Sequence, residues 1–295
     1  MTLLEVSGLQ KSFASRKRFG KAASSDNLAV QDVSFTIDRG ETLALVGESG
    51  AGKSTVGRLI CRLIEPDAGE VRLEGEDVRA IERSDARRLR REVQMIFQDP
   101  YSSFDPRVTL GESIAEPLLV HFKMKRAERR SRALELLHRV GMSIEHLDRF
   151  PRELSGGQLQ RAAVARALTV EPRLIVCDEP VAALDVSVRA HVLNLLADLQ
   201  EEFGISYLFI SHDLALVEVF ADRVAVMQAG QILELQPAAD LYRQPQHDYT
   251  KRLLGAIPKL PPSSIAVMEA EAKVLEADIL RRRALNRAAE AVRSA

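Results

Sequence analysis

Tryptophan is absent from this 295-residue sequence, and only two cysteines are present, Cys61 and Cys177. Neither cysteine has a second cysteine or a suitable histidine nearby, which excludes a disulfide framework, a zinc site and an iron–sulfur ligand set. We therefore expect two reduced thiols. Aromatic residues make up only 5% of the chain, which argues against a surface that stacks nucleic-acid bases.

An excess of charge of one sign is also missing, because 41 lysines and arginines are balanced by 42 aspartates and glutamates, for a formal net charge of −1. This balance argues against general nucleic-acid binding. No uninterrupted apolar run approaches the roughly 18–20 residues that a membrane-spanning helix needs. Residues Met1–Leu9 lack a basic flank and an apolar core, so we expect no signal peptide. The sequence predicts a globular protein that exercises any membrane role from the surface.

Short apolar runs alternate with helical patterns along most of the chain, which favours an α/β domain with a largely parallel sheet. Two segments alternate apolar and polar residues and predict half-buried edge strands, whereas three continuous apolar runs predict buried strands. A last pair, separated by Ala229 and Gly230, predicts a hairpin. The two alternating segments are Leu3–Leu9 and Leu28–Ile37. The three continuous apolar runs are Thr42–Val46, Leu174–Cys177 and Ser206–Ile210. The predicted hairpin joins Val224–Met227 to Ile232–Leu235.

Other segments connect or extend this pattern. The polar stretch Ser15–Asn27 predicts a loop, and Asp99–Arg152 predicts a helical insertion between two parts of the sheet. The basic runs Lys123–Arg132 and Arg83–Arg91 predict solvated helix faces. Prolines 258, 261 and 262 predict a linker, followed by a helix-favouring tail over residues 265–292.

One segment fits the phosphate-binding pattern G-x-x-x-x-G-K-[ST] between an apolar strand, Leu43–Val46, and a helical pattern, Thr55–Ile64. That order aims backbone N–H groups and a helix N-terminus at one point, where an anion would bind. Lys53 can reach the β- and γ-phosphates of a nucleotide, and the Ser54 hydroxyl can ligate Mg²⁺. The residues of this phosphate loop are Gly47, Glu48, Ser49, Gly50, Ala51, Gly52, Lys53, Ser54 and Thr55.

A second element is the strand ending in Asp178 and Glu179. Ligands bind at the carboxyl ends of strands in open α/β sheets, and neighbouring side chains of an extended chain point in different directions. We therefore expect separate roles, with Asp178 in the Mg²⁺ shell and Glu179 polarising the attacking water.

The third element is the segment Leu154–Arg161, with sequence LSGGQLQR, before an alanine-rich helical stretch. Ser155 is a plausible N-cap, and the two glycines leave backbone N–H groups uncovered. This is a second anion cradle in a chain that already has a phosphate loop. It makes sense if it faces a nucleotide held by another subunit.

With these motifs the sequence resembles an ABC-type ATPase subunit from about Leu3 to about Pro258. Leu154–Gln158 is similar to the LSGGQ signature of that family. The resemblance implies that four of these residues bind nucleotide: Ser155, Gly156, Gly157 and Gln158. Gln98 resembles the Q-loop glutamine, His212 the switch histidine, and Asp185 the aspartate of the D-loop. Phe13 takes the position of the aromatic residue that stacks on adenine.

The resemblance implies an α/β fold, a P-loop NTPase of ABC type whose mostly parallel sheet is flanked by helices, with an antiparallel β subdomain and a helical insertion. It implies an ATP-binding domain over 1–258 with a helical subdomain at about 99–165, and a C-terminal linker and helical tail over 259–295. ATP and Mg²⁺ are the implied ligands, with Ser54, Gln98 and Asp178 at the metal and Lys53, Gln98, Glu179 and His212 in catalysis.

Further runs resemble the ATPases of dipeptide, oligopeptide and nickel importers, above all 97–107, 178–187 and 244–254. The implied function is ATP-driven dimer closure that powers import of a peptide or similar small solute, at the cytoplasmic face of the inner membrane. The implied partners are a second ABC ATPase subunit, identical or related, integral membrane permease subunits and, indirectly, an extracytoplasmic solute-binding protein, with no nucleic acid.

An alternative is an ABC-type ATPase of a soluble assembly, in phosphonate degradation or DNA maintenance. The near-zero charge and the lack of a long coiled-coil insertion argue against the DNA version. The long C-terminal segment and the importer-like loop at 97–107 argue against the enzyme-assembly version. A scaffold without turnover is disfavoured because both Glu179 and His212 are present.

Overall fold

The structure is a computed structural model that describes residues 1–13, 27–80 and 86–256. Its main sheet contains six strands: β3 (Thr42–Val46), β6 (Val93–Ile96), β7 (Leu174–Asp178), β8 (Ser206–Ser211), β9 (Arg223–Gln228) and β10 (Gln231–Pro237). The strand order is β10-β9-β3-β8-β7-β6, and every neighbouring pair is parallel except β9 with β10. The largely parallel sheet and its three predicted buried strands are therefore confirmed.

A second, antiparallel sheet has the order β2-β1-β4-β5 and contains β1 (Thr2–Phe13), β2 (Asn27–Asp38), β4 (Ala68–Leu73) and β5 (Glu76–Asp77). The prediction of an edge strand holds for β2 but is wrong for β1, which pairs with β2 on one side and β4 on the other. A register shift between Thr2 and Leu4 lets Leu3 and Leu4 both be buried. The alternating pattern reports only that one face of a strand is buried, and it does not distinguish an edge strand from an interior one.

The helices cover both faces of the main sheet. They are α1 (Lys53–Ile60), α2 (Ala86–Glu92), α3 (Leu110–Phe122), α4 (Arg126–Arg139), α5 (Gly156–Leu168), α6 (Val186–Phe203), α7 (Leu214–Phe220), α8 (Ala238–Arg243) and α9 (Asp248–Gly255). Side chains alternate along β3, so Ala44 and Val46 pack with residues of α5–α8, whereas Leu43 and Leu45 pack with α1 and the antiparallel sheet.

The helix predicted for Thr55–Ile64 ends early. The last helical residue of α1 is Ile60, and the chain turns into the left-handed region at Arg62, with a φ of 50°. The N–H of Leu63 then donates to the carbonyl oxygen of Arg58 at 2.9 Å, closing the helix end. Leu63 is left on the surface, 54% exposed.

The segment between β6 and β7 contains α3, α4 and α5, which pack on one another. Thr109 caps α3 by accepting from the N–H of Glu112 at 3.4 Å. The basic face of α4 is exposed as predicted, and its Arg130 forms two hydrogen bonds with Asp148 at 2.8 and 2.9 Å. This segment carries the predicted insertion, whose division into a subdomain at about 99–165 stays a prediction.

The predicted hairpin is confirmed, because β9 and β10 are antiparallel and joined at Ala229 and Gly230 with φ of 47° and 86°. Two positive φ values are typical of the tight turn that matches strand twist. Of the loop predicted over Ser15–Asn27, residues 15–26 lie outside the described residues and Asn27 already begins β2. The linker and tail over 259–295 also lie outside the described residues. None of the helices in the described ranges has the length and apolar character needed to cross a membrane.

Candidate functional site

Four predicted site elements follow four parallel strands that are neighbours in the main sheet. The phosphate loop follows β3, His212 follows β8, Asp178 ends β7 with Glu179 directly after it, and Gln98 lies two residues beyond β6. The carboxyl ends of parallel strands lie at the same edge of a sheet, where ligands bind in α/β folds. Residues separated by up to 165 positions in sequence are thereby brought to one edge.

The phosphate loop, Gly47–Gly52, requires glycine for two reasons. Gly47, Gly50 and Gly52 have φ of 151°, 82° and 103°, conformations that other residues rarely adopt. In addition, a Cβ on Gly47 would lie 2.0 Å from the carbonyl oxygen of Met227, and one on Gly52 would lie 2.2 Å from that of Ala29. The loop therefore backs directly onto β9 and β2.

Lys53 begins α1 with its side chain folded over the loop. Its Nζ donates to the carbonyl oxygens of Gly47 at 2.7 Å and Glu48 at 2.9 Å. Burial lowers the pKa of Lys53, and the nearby Glu179 and Asp178 carboxylates partly oppose that effect. A polyphosphate would bind such a buried ammonium favourably, because the ion pair and its hydrogen bonds would compensate for the water that the ammonium has lost.

Ser54 and Asp178 meet at the other side of the loop, where Ser54 Oγ donates to Asp178 Oδ1 at 2.7 Å. Asp178 is 4% exposed, and burial raises its pKa, although the Ser54 hydrogen bond acts in the opposite direction. Hydroxyl and carboxylate oxygens are the donors that Mg²⁺ prefers, and Mg²⁺ is commonly held by one or two carboxylates plus substrate phosphates. In the described ranges no group of three or more His, Cys, Asp or Glu could hold a metal ion. The donor set therefore fits a magnesium ion shared with a nucleotide.

Glu179 lies between two other predicted residues. Gln98 Nε2 donates to Glu179 Oε2 at 2.9 Å, and His212 Nδ1 lies 3.1 Å from Glu179 Oε1. The expectation that Asp178 and Glu179 point differently is correct, but its reason is not strand alternation. The strand ends at Asp178, and Glu179 adopts a left-handed φ of 49° while its N–H donates to the carbonyl oxygen of Ile210 at 3.0 Å. A residue held in this uncommon conformation at the end of a strand is typical of a functional site.

We expect Asp178→Asn to separate stability from function. Because burial raises the pKa of Asp178 above its unfolded value, the ionised carboxylate opposes folding once the pH exceeds the folded pKa. Asparagine keeps the oxygen that accepts from Ser54 and removes the buried charge. Thermal unfolding at pH 8 without nucleotide should show an unchanged or higher Tm, whereas the dependence of ATP binding on Mg²⁺ should be lost. A large fall in Tm without nucleotide would contradict this account.

The glycine-rich segment starts α5 as predicted. Ser155 is the N-cap, its Oγ accepts from the N–H of Gln158 at 3.3 Å, and Gln158 Oε1 accepts from the N–H of Ser155 at 2.9 Å. Ser155 is exposed, Gly156 is half-buried, and Gly157 packs so closely on α6 that a Cβ would lie 2.4 Å from Val188 Cγ1. The helix start is thus fixed by its own cap and by close contact with α6. Its role toward a partner's nucleotide stays a prediction.

Arg189 was missed by the sequence analysis. Its guanidinium donates to the carbonyl oxygens of Leu184 at 2.7 Å and Ala182 at 3.3 Å, and to Asp213 Oδ2 at 3.5 Å. Arg189 therefore joins two segments. One is the loop before α6, whose last residue is the predicted site residue Asp185, and the other is the segment that follows His212. Nothing in the sequence around Arg189 singled it out, because two of its acceptors are backbone carbonyls and the third, Asp213, lies 24 positions away.

Phe13 is the last residue of β1 and pairs with Asn27 of β2. Ala29, two residues further along β2, contacts the phosphate loop. Its ring is 45% exposed, and the Nζ of Lys11 lies 5.8 Å from the ring centroid. An exposed ring near the loop is compatible with stacking on a base, and that role stays a prediction.

The sequence model of the family described as ABC transporter matches residues 30–182. The chain belongs to the ABC transporter family. Over 261 residues, or 88% of its length, it is 48% identical to the glutathione import ATP-binding protein GsiA of Pectobacterium atrosepticum. Over the same length it is 50% identical to the probable peptide ABC transporter ATP-binding protein y4tS of Sinorhizobium fredii. The predicted likeness to peptide importers is confirmed, and a soluble assembly is not favoured.

Solved structures show the same fold. The ATP-binding cassette MJ0796, a post-hydrolysis dimer bound to ADP and Pi, matches with a TM-score of 0.71 and 29% identity, covering 80% of this chain and 99% of that one. The cbiO1 protein of Clostridium perfringens, part of the ABC transporter complex cbiONQ, matches with a TM-score of 0.71 and 25% identity, covering 91% and 99%. The predicted fold class is confirmed. The chain spans 42% of the length of GsiA and 74% of that of y4tS.

Proposed function

We propose that this ABC cassette hydrolyses ATP and couples the reaction to import of a peptide or a similar small solute. The observation that carries the proposal is the position of Glu179 between Gln98 and His212, at the sheet edge that also holds the phosphate loop. Peptide and glutathione import appear in the names of relatives at 50% and 48% identity, which supports the solute class.

Hydrolysis would use these residues in distinct roles. The phosphate loop would bind the ATP phosphates through its backbone N–H groups, and Lys53 would leave the carbonyl oxygens of Gly47 and Glu48 to reach the β- and γ-phosphates. Mg²⁺ held by Ser54, Asp178 and Gln98 would neutralise charge on the phosphates. Glu179 would orient a water for in-line attack on the γ-phosphorus and accept its proton, with His212 contacting the γ-phosphate. The bond to the β-phosphate oxygen breaks, and ADP and phosphate leave.

The exposed start of α5 supports a dimer that closes on nucleotide. Ser155 and Gly157 would complete the site of a second ATPase subunit, identical or related, by directing the Ser155 hydroxyl and the Gly157 N–H at its γ-phosphate. MJ0796, a cassette of the same fold, is dimeric in a post-hydrolysis state bound to ADP and Pi. The free-energy difference between ATP-bound and ADP-bound dimers would then bias opening and closing.

An apolar groove next to Gln98 supports a membrane partner. Its cavity of about 350 Å³ is lined by residues that include Leu63, Phe97 and Val120, which are 54%, 37% and 49% exposed. Phe104 also lines the groove, but it is buried. Tyr101 does not line it; its hydroxyl donates to the carbonyl oxygen of Leu154 at 3.2 Å, next to Ser155. A short cytoplasmic helix of an integral permease subunit would fit this groove.

In this proposal the cassette lies at the cytoplasmic face of the inner membrane, where it would be held by the permease and served indirectly by an extracytoplasmic solute-binding protein. Movement of the groove with α5 would transmit dimer closure to the membrane subunits, because Tyr101 links the segment after Gln98 to the residue before Ser155. The mechanical path therefore runs from nucleotide through Gln98 to the permease.

Deletion of the gene in its source organism tests the proposal. We expect uptake of labelled di- and tripeptides or of labelled glutathione to fall, and to return with the wild-type gene but not with Glu179→Gln. Glu70→Gln, on the exposed part of β4, should restore uptake as a matched control. Unchanged uptake of all these solutes, with the protein recovered in a complex free of membrane subunits, would instead favour the soluble assembly.

A further inference from the structure

The C-terminal helix α9 reaches the phosphate loop. The N–H of Glu48 donates to the hydroxyl oxygen of Tyr249 at 3.2 Å, across 201 positions of sequence. Tyr249 is only 3% exposed, and its burial raises the pKa of the phenol, so the hydroxyl stays neutral. This contact belongs to the segment 244–254, for which the proposed mechanism gives no role.

Glu234 of β10 fixes the start of α9. The Glu234 side chain is largely buried and accepts from the N–H groups of Gln246 at 2.7 Å and His247 at 3.1 Å. His247 caps the helix, since its Nδ1 accepts from the N–H of Tyr249 at 3.1 Å. A carboxylate beside a helix N-terminus is also favoured by the helix dipole. The hydroxyl of Tyr249 is thus presented to the loop from a firmly anchored helix.

The peptide group between Gly47 and Glu48 is hydrogen-bonded at both its carbonyl oxygen and its N–H. Its carbonyl oxygen accepts from Lys53 at 2.7 Å, and its N–H donates to Tyr249 at 3.2 Å. The next carbonyl, of Glu48, accepts from Lys53 at 2.9 Å and from the N–H of Ala51 at 3.2 Å. When a nucleotide draws Lys53 away, the contact with Tyr249 is the one that remains on this peptide.

We propose that Tyr249 is a positioning residue for nucleotide binding, holding the first peptide of the phosphate loop in its binding orientation. The inference rests on the proposed ATPase function. A loop that is already in its binding conformation loses less conformational entropy when phosphate binds. If the loop adopts that conformation only part of the time, the apparent affinity falls in proportion to the populated fraction. Tyr249 touches no substrate in this account and acts only through the loop.

The test uses Tyr249→Phe in the full chain, with ATP and ADP binding measured at equilibrium and hydrolysis measured at steady state. We expect Kd for both nucleotides and KM for ATP to rise roughly three- to tenfold, the size of one lost hydrogen bond, with kcat at saturating ATP nearly unchanged. Tyr242→Phe is the matched control, because the Tyr242 hydroxyl donates to the carbonyl oxygen of Leu214, away from the loop. It should leave Kd unchanged.

The melting temperatures of both variants separate positioning from general stability. Each variant loses one tyrosine hydrogen bond, so we expect similar, small falls in Tm. Of the two, only Tyr249→Phe should weaken nucleotide binding, because Tyr249 contacts the phosphate loop and Tyr242 contacts Leu214. An unchanged Kd in Tyr249→Phe, or an equal rise of Kd in Tyr242→Phe, would overturn the proposal. Failure of the wild-type chain to bind ATP would instead overturn the proposed function.

Discussion

Glu179→Gln is expected to bind ATP with near wild-type affinity and to hydrolyse it roughly 100- to 10,000-fold more slowly, the range typical of a lost general base. Glutamine keeps the side-chain length and an oxygen that can accept from Gln98, at 2.9 Å in the wild type. It cannot take a proton from water at neutral pH. Chemistry is therefore blocked while binding is preserved, and the ATP-bound dimer should accumulate.

Size-exclusion chromatography with MgATP checks the second part of this expectation. The variant should elute as a dimer with ATP and as a monomer with ADP, whereas the wild type should not retain the dimer through turnover. Glu70→Gln, a change of the same chemistry on the exposed part of β4, should match the wild type in both assays. Hydrolysis at the wild-type rate in Glu179→Gln would remove Glu179 from the catalytic role.

Local determinants explain which parts of this site could be predicted from sequence. The phosphate loop needs only a buried strand, glycines at set positions and a following helix, and all of these lie within Thr42–Ile60. The cap of α5 is also local, since Ser155 and Gln158 bond to each other. Gln98, Glu179 and His212 could be found because each follows an apolar strand and because together they resemble one family. Their meeting at one edge follows from parallel strand order.

Long-range pairing explains what the sequence could not predict. Tyr249 accepts from a backbone N–H 201 positions away and Arg189 donates to Asp213, 24 positions away, and no pattern near either residue indicates those partners. The interior position of β1 depends on pairing with β4, which a single strand pattern does not reveal. The left-handed turn at Glu179 is likewise set by its bond to Ile210 in a neighbouring strand. Each of these unpredicted features depends on contacts that form only when distant segments come together in the folded protein.

Two contacts at the start of α5 have a mechanical consequence. Gly157 packs on Val188 of α6, and Leu154 accepts from Tyr101 after Gln98. The start of α5 is therefore tied both to the loop that Arg189 holds and to the segment that lines the proposed permease groove. A change of nucleotide state at Gln98 would move the α5 cradle and the groove together, as the coupling proposed for this cassette requires.

Gly47→Ala is expected to have the largest effect on folding. The added Cβ would lie 2.0 Å from the carbonyl oxygen of Met227, and the φ of 151° at this position disfavours any side chain. Met227 cannot recede cheaply, because β9 is paired with β3 on one side and β10 on the other. We expect the free energy of unfolding to fall by about 3 kcal/mol or more, with loss of ATP binding.

Gly75→Ala is the matched control that separates the clash from the backbone strain. Gly75 also has a positive φ, 81°, but no atom lies within 4 Å of its added Cβ. We expect a loss of only about 1–2 kcal/mol there, because the cost is confined to the left-handed conformation, and ATP binding should persist. Urea denaturation of the three proteins measures both values. Equal losses in the two variants would show that the backbone of β9 can yield, and that the loop does not depend on its close approach to Met227.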